Sequence, residues 1–216
     1  MSVAATDNRG LMLAMMEPPA SLEDEFQQWY DSEHFPERRS IEGFLTANRI
    51  VCIDGWPRYA AMYDLSDLEV MRGTGYANIS GDNYSRWTDR IMGHVWGQYR
   101  AEATQIYPGK ALFGDNGACS RVALWRFRAV TETLMTEIVD GLRTLYEERP
   151  ETAQVRVFRS QQQDAIDCLG IVELHSPWKP AEGQTAVFGA ALKHLDLVNI
   201  YTRYQRVWGG TYPQQK

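Results

Sequence analysis

What constrains this chain most is the order of its apolar runs, because that order is written twice. Residues 10–16 form an apolar run of strand length. Ser21-Leu22-Glu23-Asp24 then reads as a capping box with an acidic third position, opening an amphipathic helix. Residues 44–53 and 58–65 read as strands, 82–99 as a helix and 102–107 as a strand. In the second half, 121–130 reads as a strand, and Thr131 caps a helix carrying Leu134, Ile138, Leu142 and Leu145 at helical spacing. Residues 154–159 and 168–174 are strands, 186–194 a short helix and 197–207 a last strand. The halves also echo locally, Tyr63-Asp64-Leu65 beside Val172-Glu173-Leu174 and Ile106-Tyr107 beside Ile200-Tyr201. Pro108 and the glycine-bearing stretch 109–117 read as the linker between them.

Each half is thus β-α-β-β-α-β, the ferredoxin-like unit, with helices on one face of an antiparallel sheet. The bare face needs cover. The expected fold class is α+β, with two ferredoxin-like units in one chain covering each other as an intramolecular pseudo-dimeric α+β barrel. Two independent domains side by side are the alternative. The expected division is 1–112, an N-terminal unit carrying the candidate site, and 113–216, a C-terminal unit with a degenerate site.

Composition narrows the function classes. A hydrophobic content of 44% with 12% aromatics suffices for a sizeable core. A net charge of −6 and the lack of a basic run interleaved with aromatics argue against a nucleic-acid partner. The apolar stretch 11–16 is too short for a signal-peptide core, and nothing approaches the roughly 20 apolar residues of a membrane span. Cys52, Cys119 and Cys168 are odd in number, widely spaced and without C-x-x-C, which disfavours disulfides and a thiolate metal site. Buried, inert thiols are expected at Cys52 and Cys168, in a cytoplasmic protein without membrane contact.

The segment from Trp29 to Phe44 carries the densest chemistry: Trp29, Tyr30, Glu33, His34, Pro36, Glu37, Arg38, then Gly43-Phe44. Pro36 disfavours helical geometry at Phe35, so Glu33 and His34 are expected in the last turn of a helix that stops there. This segment resembles the dimeric α+β barrel superfamily, in particular its EthD-like branch, whose helix ends in a W-x-x-x-E-H-x-P-E-R-like stretch followed by Gly-Phe. The resemblance implies a pocket between sheet and helices with Glu33 and His34 near its mouth. It also implies association as a homodimer, a need that a built-in repeat reduces. The superfamily includes cofactor-free monooxygenases, isomerases, cyclases, decarboxylases and haem-binding enzymes. The second unit lacks the motif, with Arg143 and Thr144 where Glu33 and His34 would recur.

On a helical wheel Leu22, Phe26, Trp29 and Glu33 share one stripe. Glu33 is then either a desolvated acid–base carboxylate or the partner of Arg38, Arg49 or Arg58. His34, about 100° away on the wheel, is either a proton shuttle or a cap at the helix C-terminus. His94 borders the inner face of the 82–99 helix, seven residues after Trp87. His175 and His194 read as structural. The stretch 73–81, Gly-Thr-Gly-Tyr-Ala-Asn-Ile-Ser-Gly, fails the dinucleotide fingerprint and reads as a loop over a pocket, offering Tyr76 and Asn78 as contacts, or as a plain surface excursion. Trp87, Trp96, Trp125, Trp178 and Trp208 read as core or cavity-lining rings.

The expected function is a cofactor-independent acid–base enzyme, an isomerase, cyclase, decarboxylase or other lyase, acting on a small aromatic, polyketide-like or lactone substrate. His34, Glu33 and His94 are the catalytic candidates, with Tyr30, Arg49, Trp87, Tyr76 and Asn78 against substrate. No organic cofactor and no metal are expected. A non-catalytic binder of a small hydrophobic ligand and a haem or oxygen-handling protein are the alternatives.

Overall fold

The computed structural model describes residues 8–181 and 183–204. Its strands are β1 (Gly10–Glu17), β2 (Asn48–Asp54), β3 (Tyr59–Leu65), β4 (Trp96–Tyr107), β5 (Arg121–Phe127), β6 (Thr152–Gln162), β7 (Ala165–Leu174) and β8 (Leu195–Arg203). They close an antiparallel barrel in the order β1-β3-β2-β8-β5-β7-β6-β4, with β4 returning to β1. The first four strands lie as β4-β1-β3-β2 and the last four as β8-β5-β7-β6, the same order in each half. The seams are β2 against β8 and β4 against β6.

Period-two alternation explains how such strands build three cores. Leu11, Leu13 and Met15 of β1 join Met62, Leu124, Phe158 and Ile171, residues of both halves, in one cluster filling the barrel lumen. The intervening Met12, Ala14 and Met16 face outward and pack under Phe26, Trp29 and Tyr30. On the other half Trp125, Phe127 and Cys168 pack outward under Met135, Ile138 and Leu142.

The helices are fewer and shorter than the sequence suggests. They are α1 (Glu23–Trp29), a π-helical turn (Tyr30–His34), α2 (Phe35–Arg39), α3 (Thr74–Ala77), α4 (Arg86–Met92) and α5 (Glu132–Tyr146). Gln184–His194 is a 3-10 stretch broken at Gly189. The capping box at Ser21 is not made: α1 starts at Glu23 with no side-chain cap. Thr131 does cap α5, accepting from the Leu134 amide. The helix expected over 82–99 is α4 alone. Gly93 ends it and β4 starts at Trp96, with Gly97 at φ +56.

The stop expected at Pro36 does not occur. In an α-helix the Pro36 ring would crowd the carbonyl four residues back and leave one ladder bond unmade. The chain instead widens into the π-turn, where the Phe35 amide donates to the Tyr30 carbonyl, five residues back. Pro36 then falls in the first turn of α2, where a missing N–H costs nothing.

The linker is more than a connection. Phe113 enters the lumen, its amide donating to Asp64 Oδ2 at 2.7 Å, while the Gly114 amide donates to Glu173 Oε2 at 2.8 Å. Asp64 and Glu173, the two echoed acids, converge on the fully buried Arg156, at 2.6 and 3.4 Å. This trio closes one end of the barrel. Cys168 is buried, its thiol pushed up to about 12 by desolvation. Cys52 is half-buried, its thiol pushed up to about 11 for the same main reason. Among the described residues no helix is long and apolar enough to cross a membrane. Trp208 and the end of the strand expected over 197–207 lie outside the described residues.

Candidate functional site between α2 and the sheet

The extra residue in the π-turn rotates every side chain after it about the helix axis. On a regular wheel Glu33 would face the sheet; with the turn widened, His34 does. Tyr30, His34 and Arg38 are all buried, whereas Glu33 is half-exposed. π-bulges recur at functional sites because they re-aim side chains without breaking the helix. Here the bulge delivers an imidazole and a guanidinium to the outer face of β1 and β3.

His34 is 6% exposed and lies on Trp29, with ring centroids 4.0 Å apart, and edge-on to Tyr30 at 5.2 Å. Its Nδ1 has no hydrogen-bond partner. Burial holds its pKa well below the ordinary 6.5, and the nearby Arg38 and Arg49 cations push the same way. The imidazole is therefore neutral throughout the neutral range.

Arg38 is 1% exposed. Its Nη1 donates to the His34 carbonyl at 3.3 Å and stands 3.6 Å from Glu37, while its Nε is unpartnered. Tyr63 rises from β3 under the same helix, also 1% exposed, and its hydroxyl has no partner. Desolvation pushes that phenol well above its ordinary 10, so it stays a donor. Phe35 and Phe44 pack on the Tyr63 ring, at centroid separations of 5.9 and 5.7 Å. Tyr76 stacks on Phe44 at 6.2 Å and faces the Arg38 guanidinium at 6.0 Å.

A buried donor or acceptor without a partner costs about 1–3 kcal/mol, and native folds rarely tolerate it without a purpose. Here one layer of the fold holds three such atoms, aromatic-walled: Nδ1 of a neutral imidazole, the Nε of a guanidinium whose Nη1 is engaged, and a phenol hydroxyl. Together they can accept a proton, stabilise an anion and donate a hydrogen bond to an oxygen.

The remaining candidates distribute differently. Glu33 accepts from Ser85 Oγ and, at 3.2 Å, from Thr88 Oγ1; it ties the π-turn to the start of α4. It pairs with none of Arg38, Arg49 or Arg58. Thr88 also accepts from the Trp29 indole at 3.0 Å, fixing the ring on which His34 rests. Arg49 is committed structurally. It donates to Asp31 at 2.6 Å and to Gln27, and its guanidinium lies between the Tyr30 and Tyr204 rings, 4.3 Å from each. Tyr30 directs its hydroxyl to Met16 Sδ.

His94 does not join the site. Past the end of α4 it is exposed, with Nδ1 at 2.7 Å from the Arg90 carbonyl. Trp87 is half-buried at the edge of the cluster under α1. In the 73–81 stretch, Tyr76 is buried on Phe44, its hydroxyl accepting from Arg100 at 3.1 Å, whereas Asn78 is exposed. Arg38 and Tyr63 were missed as site residues. The signal was there: Arg38 follows His34 by four on the same helix, and Tyr63 shares its strand face with Tyr59 and Ala61.

No family model and no curated protein matches the sequence. Solved structures do match in fold. An anthrone oxidase-like protein superposes with a TM-score of 0.64 at 11% identity, over 92% of this chain and 92% of its own. A chlorite dismutase-like protein gives 0.56 at 9% identity, over 92% and 95%. These neighbours belong to the dimeric α+β barrel superfamily, and this chain shares their fold.

Some members of that superfamily bind haem, and the residues here do not fit one. His34 has the Arg38 and Arg49 cations beside it, which oppose an iron cation at its nitrogen and favour an anion. His94 and His175 are exposed and His194 is half-buried, all three at element ends away from the layer under α2. The equivalent layer of the second half is filled by Trp125, Phe127, Leu142 and Phe188.

Proposed function

We propose that this chain is a cofactor-independent acid–base enzyme for a small aromatic, polyketide-like or lactone substrate, working between α2 and the sheet. His34 is the base. It removes a proton from an acidic C–H or O–H, and the electron pair stays on the substrate as an enolate or phenolate. That anion lies against the Arg38 guanidinium, and the Tyr63 hydroxyl donates to its oxygen. His34 then returns the proton to another atom, which isomerises the substrate, or the enolate carbon attacks a carbonyl of the same molecule, the new C–C bond leaving an alkoxide that takes the proton back from the His34 imidazolium. A positioned base of this kind contributes about 10²–10⁴-fold.

The observation that carries the reading is the coincidence, behind a π-bulge, of a buried imidazole nitrogen and a buried phenol without partners and a buried guanidinium whose Nε is unpaired. The depressed pKa suits the role. His34 is never blocked by a proton at neutral pH, and it accepts one only while a substrate anion balances the charge. Glu33, Trp29 and Thr88 are positioning residues that hold the bulge and the indole under the imidazole. His94 and Asn78 have no part in this reading.

The same strand order in each half supports a tandem arrangement of two β-α-β-β-α-β units, 1–112 and 113–216, with only the first carrying the site. The Trp29–Arg38 segment supports kinship with the EthD-like branch.

The test is exchange of solvent deuterium into the acidic methylene of anthrone. Wild-type protein accelerates exchange above a buffer matched in pH, and His34→Gln and Arg38→Gln each lose at least tenfold of that acceleration. Acceleration that persists unchanged in both variants overturns the assignment.

A further inference from the structure

A cleft of about 350 Å³ opens at the barrel end closed by Arg156, lined among others by Arg39, Phe44, Thr46, Asn48, Phe113 and Arg203. None of its lining residues is acidic, although the chain as a whole is anionic. Arg39 ends α2, and Arg203 ends β8 on the other half of the barrel. Neither guanidinium has an acidic partner among the described residues, whereas most other arginines of the barrel do. Arg203 is held over the Phe113 ring at 4.9 Å, so it is aimed rather than loose. The acids closest beneath the floor are already engaged. Asp64 receives Arg156, Thr46 Oγ1 and the Phe113 amide, and Glu173 receives Arg156, Gln154 and the Gly114 amide.

Phe44 joins this cleft to the buried site. It lines the cleft, and the same ring packs on Tyr63 and Tyr76. Phe44 is therefore the side chain that the cleft and the Tyr63 ring share. Gly43 sets that wall: its φ is +92, and a Cβ there would meet Val70 Cγ2 at 2.5 Å, so Phe44 leaves the turn in one direction only.

We propose that the cleft is an oxyanion site, in which Arg39 and Arg203 hold a carboxylate or phosphate. Resting on the function proposed above, this makes the substrate bipolar: a planar acidic end beyond Phe44 and an anionic tail at the barrel mouth. Two guanidiniums from different halves suit a tetrahedral or planar oxyanion, because each presents a fork of donors.

Calorimetric titration with inorganic phosphate, benzoate and uncharged methyl benzoate tests the site without needing the true substrate. Wild type binds phosphate or benzoate, more weakly as salt rises. Arg39→Gln and Arg203→Gln each weaken that binding, the double variant at least tenfold, and Arg203→Lys restores part of it. Benzoate without phosphate assigns the tail as a carboxylate; phosphate without benzoate assigns it as a phosphate ester. Both arginine side chains are exposed, so the variants should fold, which circular dichroism checks. Absence of binding of both anions to wild type, equal binding by the double variant, or equal binding of the methyl ester overturns the proposal. His34→Gln keeps its phosphate affinity if the cleft is an independent subsite. Cleft binding that survives while anthrone exchange fails refutes the function above and not this site; the converse refutes this site alone.

Discussion

Replacing His34 by glutamine gives the sharpest consequence of the buried imidazole. In the unfolded chain a histidine binds its proton near pH 6.5. In the fold, burial and the Arg38 and Arg49 cations hold it well below that. The folded state therefore binds fewer protons, and the stability this group confers is fully present above pH 6.5. It is lost progressively as pH falls from 6.5 to the folded-state value, below which the loss stops growing. The slope approaches about 1.4 kcal/mol per pH unit, so by pH 5.5 the loss relative to pH 8 is at most about 1.4 kcal/mol. For a chain of this size that corresponds to about 3–6 °C in Tm. The assay is thermal unfolding of wild type and His34→Gln in matched buffers at pH 8.0, 6.5 and 5.5. Other groups, including Glu173, whose carboxyl burial pushes up, contribute to both proteins and cancel in the difference. The wild type should lose stability relative to the variant only on the acid side. Parallel profiles, or a ring resonance of His34 titrating near 6.5, would refute the buried-neutral assignment.

Tyr63→Phe removes a buried hydroxyl that has no partner, so stability should stay level or rise by up to about 1 kcal/mol while anthrone exchange falls; a clear loss of stability in chemical denaturation would mean the hydroxyl is structurally engaged. Arg156→Met strips the shared cation from buried Asp64 and Glu173 and should cost about 3–5 kcal/mol in the same assay. An Arg156→Met protein as stable as wild type would show that the trio does not hold the barrel end. Gly43→Ala meets both a positive φ and Val70, and should cost about 1–3 kcal/mol; adding Val70→Ala should recover only the steric share.

The strands were legible because a strand covered on both faces reads as a short continuous apolar run: 10–16 and 58–65 match β1 and β3 to within a residue. The acids of the echoed Tyr63-Asp64-Leu65 and Val172-Glu173-Leu174 meet at one arginine, a link no spacing rule supplies. The helices misled for physical reasons. Trp87, Ile91 and Val95 keep helical spacing, yet Val95 is outside α4, because Gly93 and Gly97 turn the chain into β4; His94 left the site with it. At Pro36 the usual steric rule was answered by widening one turn rather than stopping. That single added residue exchanged the roles of Glu33 and His34. Arg38 and Tyr63 stayed hidden because a buried Nε or hydroxyl left without a partner is a tertiary property, visible only once the layer is closed.

Titration of p-nitrophenol with the protein, at a pH where the free probe is largely un-ionised, reads the pairing of base and buried cation directly. The account predicts that the bound probe absorbs as phenolate, and that Arg38→Gln abolishes the change while Tyr63→Phe weakens it. A probe that binds between α2 and the sheet without ionising, or that ionises equally in the Arg38→Gln protein, would contradict it.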